Sequence, residues 1–305
     1  MVDSIGLIER AAALLRQRGA PDFAAPPDEA GGLRPSAFLQ GEPGTDGGSE
    51  LILDRGRLAS FGITVPTAER TRTTEEFRLI KRNLMAVWAA VAKPGGERPP
   101  RIIMITSARP GEGKTFVALN LALAFSSERE VKALLVDVDT HHSALNILFG
   151  IRQAKGLVEV LGGSLDLNTA LIRTNLENLL ILPSGQGGPH VPELLSSSRM
   201  RALLDEMLRR FPDRFIILDT PPCMVSSDAA TLAPLVGQIV FVVEAHRTQQ
   251  DEIEAGLGML SACPRISLLL NKSELASAHF GSYGYGYQYA GGEGDELRSE
   301  KSAPA

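Results

Sequence analysis

Short, continuous runs of apolar residues alternate along the chain with segments of helical periodicity. The runs lie at residues 101–106, 132–139, 179–183, 214–222, 238–244 and 266–271, and each contains a stretch as long as a buried strand. Helical patterns lie between them, at residues 116–125, 198–210 and 247–261. Continuous apolar strands that alternate with helices are typical of a parallel sheet covered on both faces. The sequence therefore predicts an α/β fold: a doubly wound, mostly parallel sheet with helices on both faces.

The segments that flank this pattern differ from it. Residues 5–18 carry apolar side chains at helical spacing, which predicts an amphipathic helix that packs on its own domain, on another protein or on a membrane surface. The following segment is rich in Pro, Gly, Ala and Asp and lacks periodicity, so it is predicted to be a flexible linker. The predicted organisation is an N-terminal helix (residues 1–20), a flexible linker (21–65), a folded domain (66–274) and a disordered tail (275–305).

Net charge, cysteine positions and hydropathy indicate which partners and which cellular compartment to expect. The formal net charge is −5, with acidic and basic residues interspersed and no cluster of lysine or arginine, which argues against nucleic acid as a partner. Cys223 and Cys263 lie inside apolar segments without metal-ligand spacing, as expected in a reducing cytosol. No signal peptide begins the chain, and the most apolar stretch, residues 233–245, is too short to span a membrane. We therefore expect a cytoplasmic protein.

The segment after the first apolar run has the pattern of a phosphate-binding loop. Residues 107–115 read Ser-Ala-Arg-Pro-Gly-Glu-Gly-Lys-Thr, between a predicted strand and a predicted helix. In such a setting backbone N–H groups cradle phosphates, Lys114 reaches the β- and γ-phosphates and Thr115 meets Mg²⁺. Ala108 stands where the strict pattern has its first glycine, but two later glycines still allow close backbone approach. The sequence therefore predicts a P-loop NTPase whose ATP site includes Pro110, Gly111, Glu112, Gly113, Lys114, Thr115 and Phe116.

Three aspartates follow apolar strands at the same predicted edge of the sheet. Asp137 and Asp139 end one strand and Asp219 ends another, and doubly wound sheets bind ligands off the carboxyl ends of their strands. Two close carboxylates repel each other by about 4 kcal/mol at an effective dielectric of about 20, and a divalent cation relieves that repulsion. The candidate Mg²⁺ residues, acting with phosphate oxygens and bound water, are therefore Thr115, Asp137 and Asp219.

All four tyrosines of the chain lie near its C-terminal end, at Tyr283, Tyr285, Tyr287 and Tyr289. Glycine spacers predict a flexible segment that exposes each phenol. The last predicted strand ends at the same edge as the P-loop, and the dozen or so residues from there to Tyr283 span at most about 40 Å. The cluster is interpreted as a set of phosphate acceptors within reach of the nucleotide. The alternative is a low-complexity tail that docks on a partner.

Together these motifs resemble a bacterial tyrosine kinase (BY-kinase), a family on the same P-loop branch as the partition and division-site ATPases. The residues that carry the resemblance are 111–115, Asp137-x-Asp139, 218–222 (Leu-Asp-Thr-Pro-Pro) and the tyrosine cluster. With the start Ile8-Glu-Arg-Ala-Ala12 and the absence of a predicted membrane span, the chain is similar to the exosortase-associated tyrosine autokinases of exopolysaccharide clusters. The resemblance implies an ATP-dependent autokinase that phosphorylates its own tyrosine cluster and regulates exopolysaccharide biosynthesis or export.

The resemblance also implies roles for the matching residues. Lys114 is the phosphate-binding lysine, and Asp219 matches the Walker B position. Asp137 and Asp139 match an additional Walker-type motif, and Asn271 is implied to lie near the adenine. A phenol is protonated at neutral pH, so a carboxylate must accept its proton as the new bond forms. Asp137 is the better candidate for that base.

Partners follow from the same resemblance. Glu75, Arg78 and Lys81 fall on a Glu-x-x-Arg-x-x-Arg pattern by which family members associate into homo-oligomeric rings, where the tail of one subunit enters the next subunit's site. A membrane-anchored polysaccharide chain-length determinant protein is implied to recruit the chain to the inner membrane and to activate it. A cognate tyrosine phosphatase is implied to remove the phosphates.

Several positions depart from the family pattern. His141 and Ser143 stand where arginine and proline are usual, and Lys81 in place of arginine weakens any bidentate ring contact. Arg109 occupies the place of the signature lysine of partition-type ATPases. Two other functions stay open. One is a partition or division-site ATPase that switches assembly without phosphorylating protein, which the tyrosine-rich tail disfavours; the other is a nucleotide-dependent regulatory module whose tail docks on an export partner.

Overall fold

A computed structural model of the chain describes residues 50–65, 71–91, 100–128, 130–151 and 153–273. The predicted N-terminal amphipathic helix and the predicted tyrosine tail lie outside the described residues. The strands are β1 (Ile102–Ser107), β2 (Lys132–Asp137), β3 (Ile172–Arg173), β4 (Leu179–Leu182), β5 (Arg214–Asp219), β6 (Gln238–Glu244) and β7 (Ile266–Asn271). The helices are α1 (Arg55–Ser60), α2 (Arg72–Val91), α3 (Lys114–Ser126), α4 (Ala144–Phe149), α5 (Leu157–Gly162), α6 (Leu167–Ala170), α7 (Val191–Leu195), α8 (Ser198–Arg210), α9 (Asp228–Leu232) and α10 (Gln250–Met259).

The strands form one sheet in the order β3-β4-β2-β5-β1-β6-β7. All neighbouring strands are parallel except β3, which pairs antiparallel with β4 over two residues. The mostly parallel sheet and the six apolar strands are thus confirmed. The short edge strand β3 was not predicted, because a pair of residues carries no periodic signal.

The two faces of the sheet are covered by separate hydrophobic clusters. Side chains alternate along β1, so that Ile102 and Met104 pack in one cluster and Ile103 and Ile105 in the other. The first cluster includes residues of α5, α7, α8 and α10, and the second includes residues of α1, α2 and α3. Helices therefore cover both faces, as the continuous apolar strands predicted. Among the described residues, no helix combines the length and the hydropathy that crossing a bilayer requires.

Residues 50–65, which we call the strap, are part of the folded domain. Leu51 forms a bridge with Thr174 beside β3, and the Thr64 backbone N–H donates to the side-chain carbonyl of Asn120 on α3 at 3.0 Å. The strap residues buried in the core are Leu53, Leu58, Ile63 and Val65. The prediction of a flexible linker is therefore wrong for this stretch. Its few apolar residues have no regular spacing, and they are buried by elements that lie far away in sequence.

Candidate active site

The P-loop connects β1 to α3 and depends on two glycines. Gly111 and Gly113 have φ angles of 85° and 99°, a region that residues with a side chain rarely adopt. A Cβ atom on Gly113 would lie 2.1 Å from the side-chain nitrogen of Asn271. Gly113 also precedes the first turn of α3, where backbone N–H groups lack intrahelical partners and favour anions. The loop therefore has the geometry that phosphate binding requires.

The side chain of Glu112 faces the protein rather than the nucleotide site. Glu112 is 1% exposed; its carboxylate accepts the Arg109 backbone N–H at 2.7 Å and the Thr248 hydroxyl. Because its carboxylate is bound within the protein, Glu112 can contribute to the predicted nucleotide site only through its backbone groups. The sequence analysis missed the contact of Thr248 with the loop, because Thr248 lies 136 positions after its partner.

The three predicted aspartates and the P-loop converge at the carboxyl edge of the sheet. Asp137 lies directly opposite Asp219 in the register of β2 and β5, and both are buried. Burial, and then the charge of Asp219, raise the pKa of Asp137 well above its ordinary value. Burial raises the pKa of Asp219 to about 7, while the Thr115 hydroxyl and the Lys114 charge act in the opposite direction and Asp139 adds to the rise. The structure thus brings together all five residues that the sequence predicted at this site: Lys114, Thr115, Asp137, Asp139 and Asp219.

Ser143 is a second residue whose importance was not visible in the sequence. Its hydroxyl donates to one carboxylate oxygen of Asp137 and accepts the backbone N–H of Asn146 at 3.2 Å, which caps α4. The other Asp137 oxygen accepts the Asp139 backbone N–H at 3.0 Å. Serine in place of the usual proline therefore gives Asp137, the candidate base, an additional hydrogen-bond donor. His141 is exposed, and we assign it no role.

The carboxylate pair fits a bound cation. The Oδ1 atom of Asp219 is buried and has no hydrogen-bond partner in the structure, and the charges of Asp137 and Asp139 lie close to it. Within the part of the chain that the structure describes, no three His, Cys, Asp or Glu side chains form a metal-binding group on their own. A cation at this edge would therefore also need oxygen ligands from Thr115 and from phosphate.

The remaining residues predicted to bind the nucleotide lie around the loop. Asn271 donates its side-chain amide to the Glu112 carbonyl at 2.9 Å, so it contacts the P-loop backbone directly. Phe116 packs edge-to-face on Phe77, with ring centroids 5.9 Å apart, and its partly buried side chain packs against the hydrophobic core. Arg109 forms an ion pair with Glu252 of α10 at 3.0 Å. A role for Asn271 near adenine stays a prediction.

The predicted ring motif lies at the other end of α3. A polar groove of about 800 Å³ between α2 and that end is lined by Glu75, Arg78 and Lys81, among others. Glu75 and Arg78 form an ion pair at 2.6 Å. Lys81 is 3% exposed, and its ammonium donates to the Ala124 carbonyl at 3.2 Å and to the Glu128 carboxylate. The charge of Lys81 is therefore bound within its own chain, and its contact in a ring stays a prediction.

We expect the nucleotide-free and metal-free protein to be more stable at pH 5 than at pH 8. The folded state keeps a proton on Asp219 up to about pH 7, whereas an unfolded aspartate loses it near pH 4. The folded state thus binds more protons in this window, so this contribution to stability is complete below about pH 4 and is lost as the pH rises through 7. Burial of Asp137 acts in the same direction. Urea unfolding in EDTA at several pH values measures the effect.

Two variants isolate the source of this pH dependence. Asp219→Asn should flatten the fall in the free energy of unfolding between pH 5 and pH 8. Asp213→Asn is the matched control, because Asp213 is an aspartate at the opposite edge of the sheet, paired with Lys132 at 2.9 Å. Asp213→Asn should show the same decrease in the free energy of unfolding between pH 5 and pH 8 as the wild type. Equal slopes in the wild type and Asp219→Asn would contradict the assignment.

Comparisons with known proteins agree with this geometry. A sequence model of an AAA domain family matches residues 100–244. Tyrosine-protein kinase YwqD of Bacillus subtilis (strain 168) is 29% identical over 237 residues, which cover 77% of this chain and 96% of that protein. Tyrosine-protein kinase CpsD of Streptococcus agalactiae is 32% identical over 216 residues, which cover 70% of this chain and 89% of that protein. The kinase domain of Escherichia coli tyrosine kinase ETK superposes with a TM-score of 0.56 at 26% identity, over 75% of this chain and 98% of that domain.

Proposed function

The chain belongs to the bacterial tyrosine kinase family, and from this premise we propose that it is an ATP-dependent autokinase acting on its own tyrosine cluster. The acceptors are Tyr283, Tyr285, Tyr287 and Tyr289. The observation that carries the proposal is the convergence of the P-loop lysine with three buried aspartates at the edge where β7 ends. In the sequence, ten residues lie between Lys272, directly after the end of β7, and Tyr283.

The P-loop supplies binding and charge neutralisation. Phosphoryl transfer passes through a loose transition state, so positioning and electrostatic stabilisation account for most of the catalysis. In the proposed mechanism the loop N–H groups hold the phosphates and Lys114 neutralises charge on the transferred group. Thr115, Asp137 and Asp219 would hold Mg²⁺, which when bound would supply positive charge that stabilises the phosphate oxygens. The same carboxylates repel one another less when that charge is present.

The carboxylates also provide a base for the tyrosine. In the proposed step the phenol proton passes to Asp137 while the phenol oxygen forms a bond to the γ-phosphorus. The bond from that phosphorus to the ADP oxygen breaks at the same time, and ADP leaves. Ser143 and the Asp139 N–H orient the Asp137 carboxylate for this role. Each phosphate then adds about −1.5 to −2 charges to the cluster, so repulsion from the aspartates favours its release.

Assembly and recruitment complete the proposal. In the proposed ring a second copy of the chain pairs with Glu75 and Arg78 of α2, and the tyrosine cluster of one subunit enters the site of the next. A membrane-anchored chain-length determinant protein recruits the kinase to the inner membrane, and a tyrosine phosphatase reverses the modification. The process regulated is exopolysaccharide biosynthesis or export.

Mass spectrometry of the purified full chain tests the kinase proposal. The protein is incubated with Mg²⁺ and ATP and its peptides are compared with those of a Lys114→Met variant. We expect phosphate on the tyrosines between positions 283 and 289 in the wild type only. Release of inorganic phosphate without a modified tyrosine would instead favour the ATPase that switches assembly without phosphorylating protein. Phosphate on the cluster in both proteins would point to a contaminating kinase and contradict autophosphorylation.

A further inference from the structure

The end of β7 is attached to the P-loop by two consecutive residues. The side-chain amide of Asn271 donates to the Glu112 carbonyl at 2.9 Å, and the Lys272 ammonium donates to the Gly111 carbonyl at 2.7 Å. Two successive carbonyls of the loop are therefore bound by two successive residues at one strand end. The phosphate-binding pattern in the sequence does not require either contact, and Lys272 has no part in the mechanism described above.

These contacts fix the direction of the backbone N–H groups in the loop. In a planar trans peptide the carbonyl and the following N–H point in opposite directions. Because the carbonyls of Gly111 and Glu112 point toward the end of β7, the N–H groups of Glu112 and Gly113 point away from it. Glycines at positive φ allow several orientations of the adjoining peptide planes at little cost. Contacts from outside the loop are therefore needed to select one orientation.

Lys272 is itself held in place by charge and by an unusual backbone conformation. Its ammonium forms an ion pair with Glu244, the last residue of β6, at 3.1 Å. The Glu244 backbone N–H donates to the Thr248 hydroxyl at 2.9 Å, and that hydroxyl donates to the Glu112 carboxylate. Lys272 has a φ of 55°, a conformation that persists when surrounding contacts hold it. The ends of β6 and β7 thus support the loop together.

We propose that Lys272 is a positioning residue that, with Asn271, holds the P-loop in its phosphate-binding conformation. The inference rests on the proposed function only in taking this loop as the nucleotide site. Lys272 contributes to nucleotide affinity through the loop carbonyl and without contact to the nucleotide. Because bound ATP and the transition state use the same loop N–H groups, loss of Lys272 raises the KM for ATP more than it lowers kcat.

The test is nucleotide binding to the full chain, with a fluorescent ADP analogue as the probe. Lys272→Met should weaken binding about tenfold, as expected for the loss of a charged donor. Lys272→Arg keeps a charged donor and should stay within about threefold of the wild type. Lys132→Met is the matched control, because Lys132 is similarly exposed and forms one ion pair at the opposite edge of the sheet. It should bind like the wild type.

Hydrogen exchange gives a readout that does not depend on activity. In the nucleotide-free protein the amides of residues 111–114 should exchange faster in Lys272→Met than in the wild type or Lys132→Met, with the rest of the sheet unchanged. Unaltered ADP affinity and unaltered exchange in Lys272→Met would overturn the inference, and so would an equal loss of affinity in Lys132→Met. If the wild type binds ADP but never modifies a tyrosine, the kinase proposal fails while this inference remains testable.

Discussion

Replacing Lys114 with methionine is expected to lower the rate of tyrosine phosphorylation about 10³-fold. Lys114 is the first residue of α3, it is 8% exposed, and its charge acts on the buried carboxyl of Asp219. A cation shielded from water stabilises charge on a transferred phosphoryl group far more strongly than an exposed one. Methionine is unbranched and of similar length, so the change removes the charge with little loss of packing. Single-turnover formation of phosphotyrosine measures the rate.

Lys132→Met provides the comparison for this substitution. It makes the same chemical change at the N-terminal end of β2, away from the carboxyl edge, where Lys132 pairs with Asp213. We expect a rate within about twofold of the wild type, since surface ion pairs of this kind contribute little to stability. A near-normal rate for Lys114→Met, in protein that melts as a folded domain, would mean that the nucleotide binds elsewhere.

Asp137→Asn should lower the rate about 10²- to 10³-fold while leaving the protein at least as stable as the wild type at neutral pH. Asparagine cannot accept the phenol proton, and it is a poorer Mg²⁺ ligand than aspartate. At saturating Mg²⁺ and ATP we therefore expect the loss in kcat. Asp137 is fully buried beside Asp219 and Asp139, and removing its charge relieves their repulsion. An asparagine amide can also keep a hydrogen bond with Ser143. Thermal melting beside single-turnover kinetics separates the two effects.

The opposite signs of these effects separate a loss of chemistry from a loss of folding. A variant that lost activity through unfolding would be slower and less stable together. Asp213→Asn, at the far edge of the sheet, should change neither quantity appreciably. Full activity of Asp137→Asn would assign the proton to another acceptor, and Asp139, which is 7% exposed, would then be the residue to replace.

Local patterns sufficed to predict which residues meet at the candidate active site. Lys114 and Thr115 follow from a strand, a glycine loop and a helix that are contiguous in sequence. The convergence of Asp137 and Asp219 follows from parallel strands, whose carboxyl ends share one edge; in the structure the two residues are direct partners in the register of β2 and β5. The first prediction needed only a contiguous motif, and the second needed only the periodicity of the strands and their direction.

Other predictions failed or were missing because they depend on distant parts of the chain. The strap was mistaken for a linker, since Leu58 and Ile63 are buried by elements that follow much later in sequence. The burial of Lys81 against Glu128 was not predicted either. Thr248 and Lys272 hold the P-loop through contacts across more than a hundred residues, which no local spacing encodes.

The sequence by itself determined the class of fold, the phosphate-binding loop and the aspartates at the strand ends, because alternation, glycine placement and strand polarity are properties of neighbouring residues. Tertiary structure alone decided which groups surround those residues. Burial beside a second carboxylate raises the pKa of Asp137 and Asp219, and contacts from the ends of β6 and β7 orient the loop. The physical reason is that desolvation and Coulomb interaction depend on distance in space, and the chain brings these groups together only when the sheet has formed.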